Sequence, residues 1–217
     1  MDEREMFMNM IFKMANYMHE RSAIFKKYKN ARRVHQEVIN SMMDYLNKND
    51  INPDEVLMSL KRDLELDLNQ NLDNHIFADL VIYPHIPEYE CITQLYLRKR
   101  RLRNIEKVRM LESMMNSYYS VFNIVKRNEE DGVVTLYDVI RHENIDIVDG
   151  KLGMNYKGDQ YIVLRIIQFD DIKFQTGLVM IIDNDKIGKQ LIDHVTTYYQ
   201  DHYTNVLLDL FEYQKPF

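Results

Sequence analysis

The densest chemistry in this sequence is cationic. Arg98, Lys99, Arg100, Arg101, Arg103, Lys107 and Arg109 fall within twelve residues that hold a single acid, Glu106. The window carries +6, so against a chain total of −6 the remainder carries −12. Spacing by three and four puts Lys99, Arg100, Arg103 and Lys107 on one side of a helix. With Arg98 they form a stripe suited to phosphate contact, where each neutralised phosphate releases counterions. Nucleic-acid binding through Arg98, Lys99, Arg100, Arg103 and Lys107 is therefore one expected activity. The competing reading is a solvated face that pairs with the acidic remainder, because no recognition motif accompanies the patch.

Other chemistry is thinner. His75 and Asp79 stand four apart on one helical face, and His85 would have to join them to build a metal-dependent hydrolase. His194 and His202 lie about 12 Å apart on a helix, too far for one ion. His142, Glu143, Asp146 and Asp149 fall among turns. Cys91 has no basic neighbour in sequence to activate it and reads as buried and inert. As the only cysteine it forms no intrachain disulfide and no cysteine zinc site. No serine sits in a Gly-x-Ser-x-Gly elbow. The first of six glycines is Gly132, so neither a glycine-rich phosphate loop nor a dinucleotide fingerprint precedes it. No catalytic set, resident metal or cofactor is expected.

The elements that would position these residues divide at the same glycine. Residues 1–131 contain no glycine and only three prolines, Pro53, Pro84 and Pro87, which predicts helices up to residue 127. Residues 3–48 repeat apolar side chains every seven. One seam runs Phe7, Met14, Arg21, Tyr28, His35, Met42, and the other Met10, Tyr17, Ile24, Ala31, Val38, Tyr45. That spacing predicts one long helix packed in coiled-coil fashion, the alternative being a hairpin broken near Lys29-Asn30. Asn52-Pro53-Asp54-Glu55 starts a second helix. A third helical stretch runs from Glu88 to Arg127, with its apolar stripe shifting near Val108.

After Gly132 the pattern changes. Runs at Val133–Arg141, Ile145–Val148, Lys151–Tyr156, Gln160–Phe169 and Phe174–Ile182 alternate with turn signals, which predicts a small antiparallel β-barrel over 133–183. Residues 184–213 predict a C-terminal helix. The expected fold is therefore α+β, with a long helical N-terminal region, a small barrel and a last helix.

With 46% hydrophobic and 29% charged residues, the chain is a folded domain rather than a disordered one. The acidic start and the absence of an ~18-residue apolar run argue against a secretory signal, a membrane span or a membrane partner, so the expected location is cytoplasmic. The favoured function is a non-enzymatic interaction or regulatory protein. It would bind a protein partner, or itself as a homo-oligomer, through a seam that includes Phe7, Met10, Met14, Tyr17, Ile24 and Tyr28. A nucleic-acid-associated regulator using residues 98–109 is the alternative, and the metal-dependent hydrolase comes third.

Overall fold

A computed structural model describes residues 22–52, 55, 79, 81–84, 90–99, 103–152, 160–183 and 185–198. The chain order is α1 (Ala23–Lys48), α2 (Ile92–Lys99), α3 (Ile105–Met115), β1 (Tyr118–Asn128), β2 (Val133–Asp138), β3 (Glu143–Val148), β4 (Tyr161–Phe169), β5 (Ile172–Ile182) and α4 (Lys186–Tyr198). The fold is α+β, as the sequence indicates. These residues divide into two compact units. One takes residues up to Ala31, then Tyr119–Ile166 and everything from Asp170 onward; the other takes Arg32–Tyr118 with Ile167–Phe169.

Helix α1 runs unbroken through Lys29 and Asn30 for 26 residues, about 39 Å. Its buried residues are Phe25, Ala31, Val34, His35, Val38, Met42, Tyr45 and Leu46, steps of mostly three and four that keep one face inward. The helix ends in a Schellman arrangement. Asp50 takes the left-handed conformation at φ 52°, and the Ile51 N–H donates to the Leu46 carbonyl at 3.0 Å.

The stretch Glu88–Arg127 is not one helix. Lys99 ends α2, and Asn104 opens α3 as an extended N-cap whose side chain accepts from the Lys107 N–H. Tyr118 then begins an 11-residue strand inside the region expected to be wholly helical. Its sequence, Tyr-Tyr-Ser-Val-Phe-Asn-Ile-Val, is rich in aromatic and β-branched residues that suit a pleated surface.

The sheet is open, with strand order β3-β2-β1-β4-β5, and not the expected barrel. Its β1–β2 and β2–β3 ladders are antiparallel, with Phe122 opposite Asp138 and Asp138 opposite Glu143. The register slips between Ile124 and Lys126, and the intervening Val125 is exposed. The edge strands β3 and β5 come near one another. Just past β3, the Asp149 carboxylate accepts from the Gln175 Nε2 of β5 at 2.8 Å, a side-chain link in place of a closing ladder. The run Lys151–Tyr156 is a bend and turn at Lys151 and Leu152, and its remaining residues lie outside the described set. Central strand β4 is buried on both faces from Ile162 to Ile167, and Val134, Leu136, Ile145 and Ile147 turn inward from β2 and β3.

Gly132 (φ 65°) holds the left-handed position of the β1–β2 connection, but the other two need no glycine. His142 (φ 55°) and Asp170 (φ 54°) hold the left-handed positions of the β2–β3 and β4–β5 connections. The glycine that matters most is helical. Asp185 caps α4 by accepting from the Gly188 N–H at 2.7 Å, and a Cβ at Gly188 would lie 1.9 Å from the Asp183 carbonyl oxygen. Gly188→Ala is therefore expected to force this first turn apart and cost about 1–3 kcal/mol. A thermal melt checks it, and an unchanged midpoint would contradict the packing.

Candidate functional site

The expected cationic stripe is divided between two helices. Arg98, on α2, is exposed and donates to Glu90 at 2.8 Å. Lys99 is the last residue of α2; its side chain, with Arg100 and Arg101, lies outside the described set. Arg103 is exposed in the connection. Lys107, on α3, is half-buried; its Nζ stands 3.3 Å from the Ser41 hydroxyl and 3.8 Å from Glu37. The break at Asn104 removes the single helix on which the four-residue spacing was to align these groups. Glu37 also takes Arg33 at 2.5 Å, and Glu106 stands 3.9 Å from Arg33.

The apolar seam has a different fate. Ile24 and Tyr28 are half-buried on α1, with Tyr28 edge-on to Phe174 at 6.2 Å and tilted against Phe25 at 5.3 Å. Ala31, His35, Val38, Met42 and Tyr45 are buried. Tyr45 meets Tyr96 edge-on at 5.4 Å, and the Thr93 hydroxyl lies 3.8 Å from the Met42 sulfur. The described half of the heptad pattern is thus filled by the chain's own residues. Phe7, Met10, Met14 and Tyr17 lie outside the described set.

Filling the inner face leaves α1 with an outer face rich in cations. From Ser22 to Gln36 the sequence has no acid and five cations: Lys26, Lys27, Lys29, Arg32 and Arg33. Lys26, Lys27, Lys29 and Arg33 are exposed. At 100° per residue Lys26, Lys29 and Arg33 share an arc of about 60° opposite the row from Ala31 to Tyr45, whereas Lys27 lies on the azimuth of Val34 and Val38. Lys27 pairs with Asp171 at 2.5 Å, and that bond holds the exposed Asp171 carboxyl below its usual range. Lys29 lies 5.7 Å from the centre of the Phe25 ring. Such exposed pairs are weak and exchange readily with other anions.

The matching residues place this chain among relatives. The model of a family of unknown function (DUF7986) matches residues 22–205. The chain belongs to this family. No curated protein and no solved structure matches it. The span that DUF7986 shares with this chain contains every residue described above, the cations of α1 included.

Several polar groups are buried for structural reasons. Asp138 is fully buried, and its Oδ1 accepts from the Ser120 hydroxyl (2.6 Å) and from the Ile140 and Arg141 N–H groups (3.0 Å each). Its Oδ2 is buried without a hydrogen-bond partner among the described residues. Arg165, 1% exposed, stacks over the Tyr119 ring at 4.3 Å. His35 shares a 2.5 Å hydrogen bond with the Tyr83 hydroxyl. Burial, with the Arg32 charge adding to it, pushes the His35 imidazole down to about 4.

For a metal the position is plain. Asp79 is buried, His75 and His85 lie outside the described set, and His142, Glu143 and Asp146 are exposed around the β2–β3 turn. Among the described residues no group of three or more histidines, cysteines or acids could hold an ion. Cys91 is buried. No described helix is long and apolar enough to cross a membrane.

Proposed function

We propose that this is a non-enzymatic binding protein of the interaction or regulatory kind, and that its long helix meets the partner with an outward cationic face. One observation carries the reading: the inner row of α1 is already occupied by its own chain, while Lys26, Lys29 and Arg33 stand exposed on the opposite side in a stretch without acids. The window at residues 98–109 supports binding less well, because the single helix that would align its cations breaks at Asn104. Self-association remains part of the reading through Phe7, Met10, Met14 and Tyr17. A mass that stays monomeric at every concentration removes that part. A cytoplasmic setting suits the single cysteine, Cys91, buried as a free thiol.

The binding face is tested on immobilised heparin. A chain of net charge −6 is expected to be retained at about 50 mM salt only if a local cationic face overrides its overall field. Lys26→Glu with Lys29→Glu should then pass straight through. Wild-type protein in the flow-through would sink the reading.

A further inference from the structure

We infer that the outward face of α1 binds the phosphate backbone of duplex nucleic acid without reading its sequence. The inference rests on the binding reading above and adds the chemistry of the partner. Three observations select it.

The first is charge density. Lys26 and Arg33 are separated by about 10 Å along the helix axis, and over that length a duplex presents roughly six phosphate charges. Lys26, Lys29 and Arg33 share one side of the helix over that interval, with no acid between them in sequence. The present partner of Arg33, Glu37, is a surface carboxylate that a phosphate array can displace.

The second is what the opposite face does. A basic helix that lies on an anionic membrane must offer an apolar face to the lipid. The apolar face here is Phe25, Ala31, Val34 and Val38, all buried. Phosphates held in solution by a duplex need no such face.

The third concerns the rings interleaved with the cations. Single-strand binders stack bases on exposed aromatics. Phe25 is buried, and Tyr28 is held between Phe25 and Phe174, so these rings are engaged within the fold. What the face presents is ammonium and guanidinium donors, which position a backbone and carry no base readout.

The experiment is fluorescence anisotropy with the full chain, a mixed-sequence duplex of about 20 base pairs and its separated single strand. Affinity for the duplex is expected to fall roughly 40-fold between about 50 and 200 mM salt, the slope of about three phosphate contacts. Changing the duplex sequence should leave it unaltered. Lys26→Glu/Lys29→Glu/Arg33→Glu is expected to weaken binding at least tenfold, and the milder triple glutamine variant to weaken it less. Circular dichroism shows whether each variant is folded, and if the glutamate variant is not, the glutamine variant decides. Salt-insensitive duplex binding, a folded variant that binds like wild type, or a clear preference for the single strand overturns the inference. Retention on heparin without any duplex binding overturns this inference alone and leaves the anionic-partner reading standing. Loss of both removes the two together.

Discussion

Asp138→Ala is expected to destabilise the protein by about 3–5 kcal/mol, a large share of the 5–15 kcal/mol that holds a typical domain together. The reason lies in how much of the β2–β3 connection converges on one oxygen. Asp138 ends β2 facing inward and is fully buried. Its Oδ1 accepts from Ser120 on β1 and from the next turn's Ile140 and Arg141 N–H groups. The same turn is tied to β1 by the Val139 N–H donating to the Val121 carbonyl at 2.9 Å. Alanine removes the acceptor and strands three donors, and a buried donor without a partner costs about 1–3 kcal/mol. Asparagine is the informative control. Its carbonyl oxygen can keep the contacts of Oδ1, and the atom it changes, Oδ2, has no hydrogen-bond partner among the described residues. Asp138→Asn should therefore lose much less than Asp138→Ala in urea unfolding. An alanine variant within 1 kcal/mol of wild type, or an asparagine variant as damaged as alanine, would contradict this account.

How far such features can be read from sequence depends on what kind of signal each residue leaves. The heptad spacing of α1 correctly marks Ala31, His35, Val38, Met42 and Tyr45 as hidden. Spacing says which side chains are covered and nothing about what covers them, so a seam filled by Tyr96 and Thr93 of the same chain reads like one awaiting a partner. The absence of glycine before Gly132 misleads over β1, because a strand needs no positive φ. Turns can also place His142 or Asp170 where glycine is customary. The cap at Asn104 goes unread, because Lys107 stands where a capping box would put an acid and only half of the usual signal is there. The cations of α1 leave a plain trace, five in an acid-free stretch, outshone by a denser window that folding then divides. Nothing in the sequence says why a glycine stands at position 188 of a helix: the Asp183 carbonyl that a Cβ would strike is there only once the chain has turned into α4.

The second large effect is a pH dependence centred on His35. Burial within the helical unit, reinforced by Arg32, lowers its imidazole from 6.5 to about 4, so the folded protein holds it neutral at and well below neutrality. In the unfolded chain the same ring takes up a proton near pH 6.5. Between about 6.5 and 4 the unfolded state therefore binds a proton that the folded state refuses, and stability falls as pH falls through that window. Above the window the contribution is fully present; below it the group has no further effect. The full swing is about 3 kcal/mol, at roughly 1.4 kcal/mol for each pH unit. Carboxylates contribute their own loss in acid, so the comparison must be with His35→Gln, which keeps a polar group against the Tyr83 hydroxyl but does not titrate. Urea unfolding of both proteins at several pH values between 7 and 4 isolates the histidine: wild type minus variant should shrink by about 3 kcal/mol across the window. The ring's own NMR titration supplies an independent readout, with a midpoint near 4. A pH-independent difference, or a ring that titrates at its ordinary value, would mean that His35 is not held buried against Tyr83.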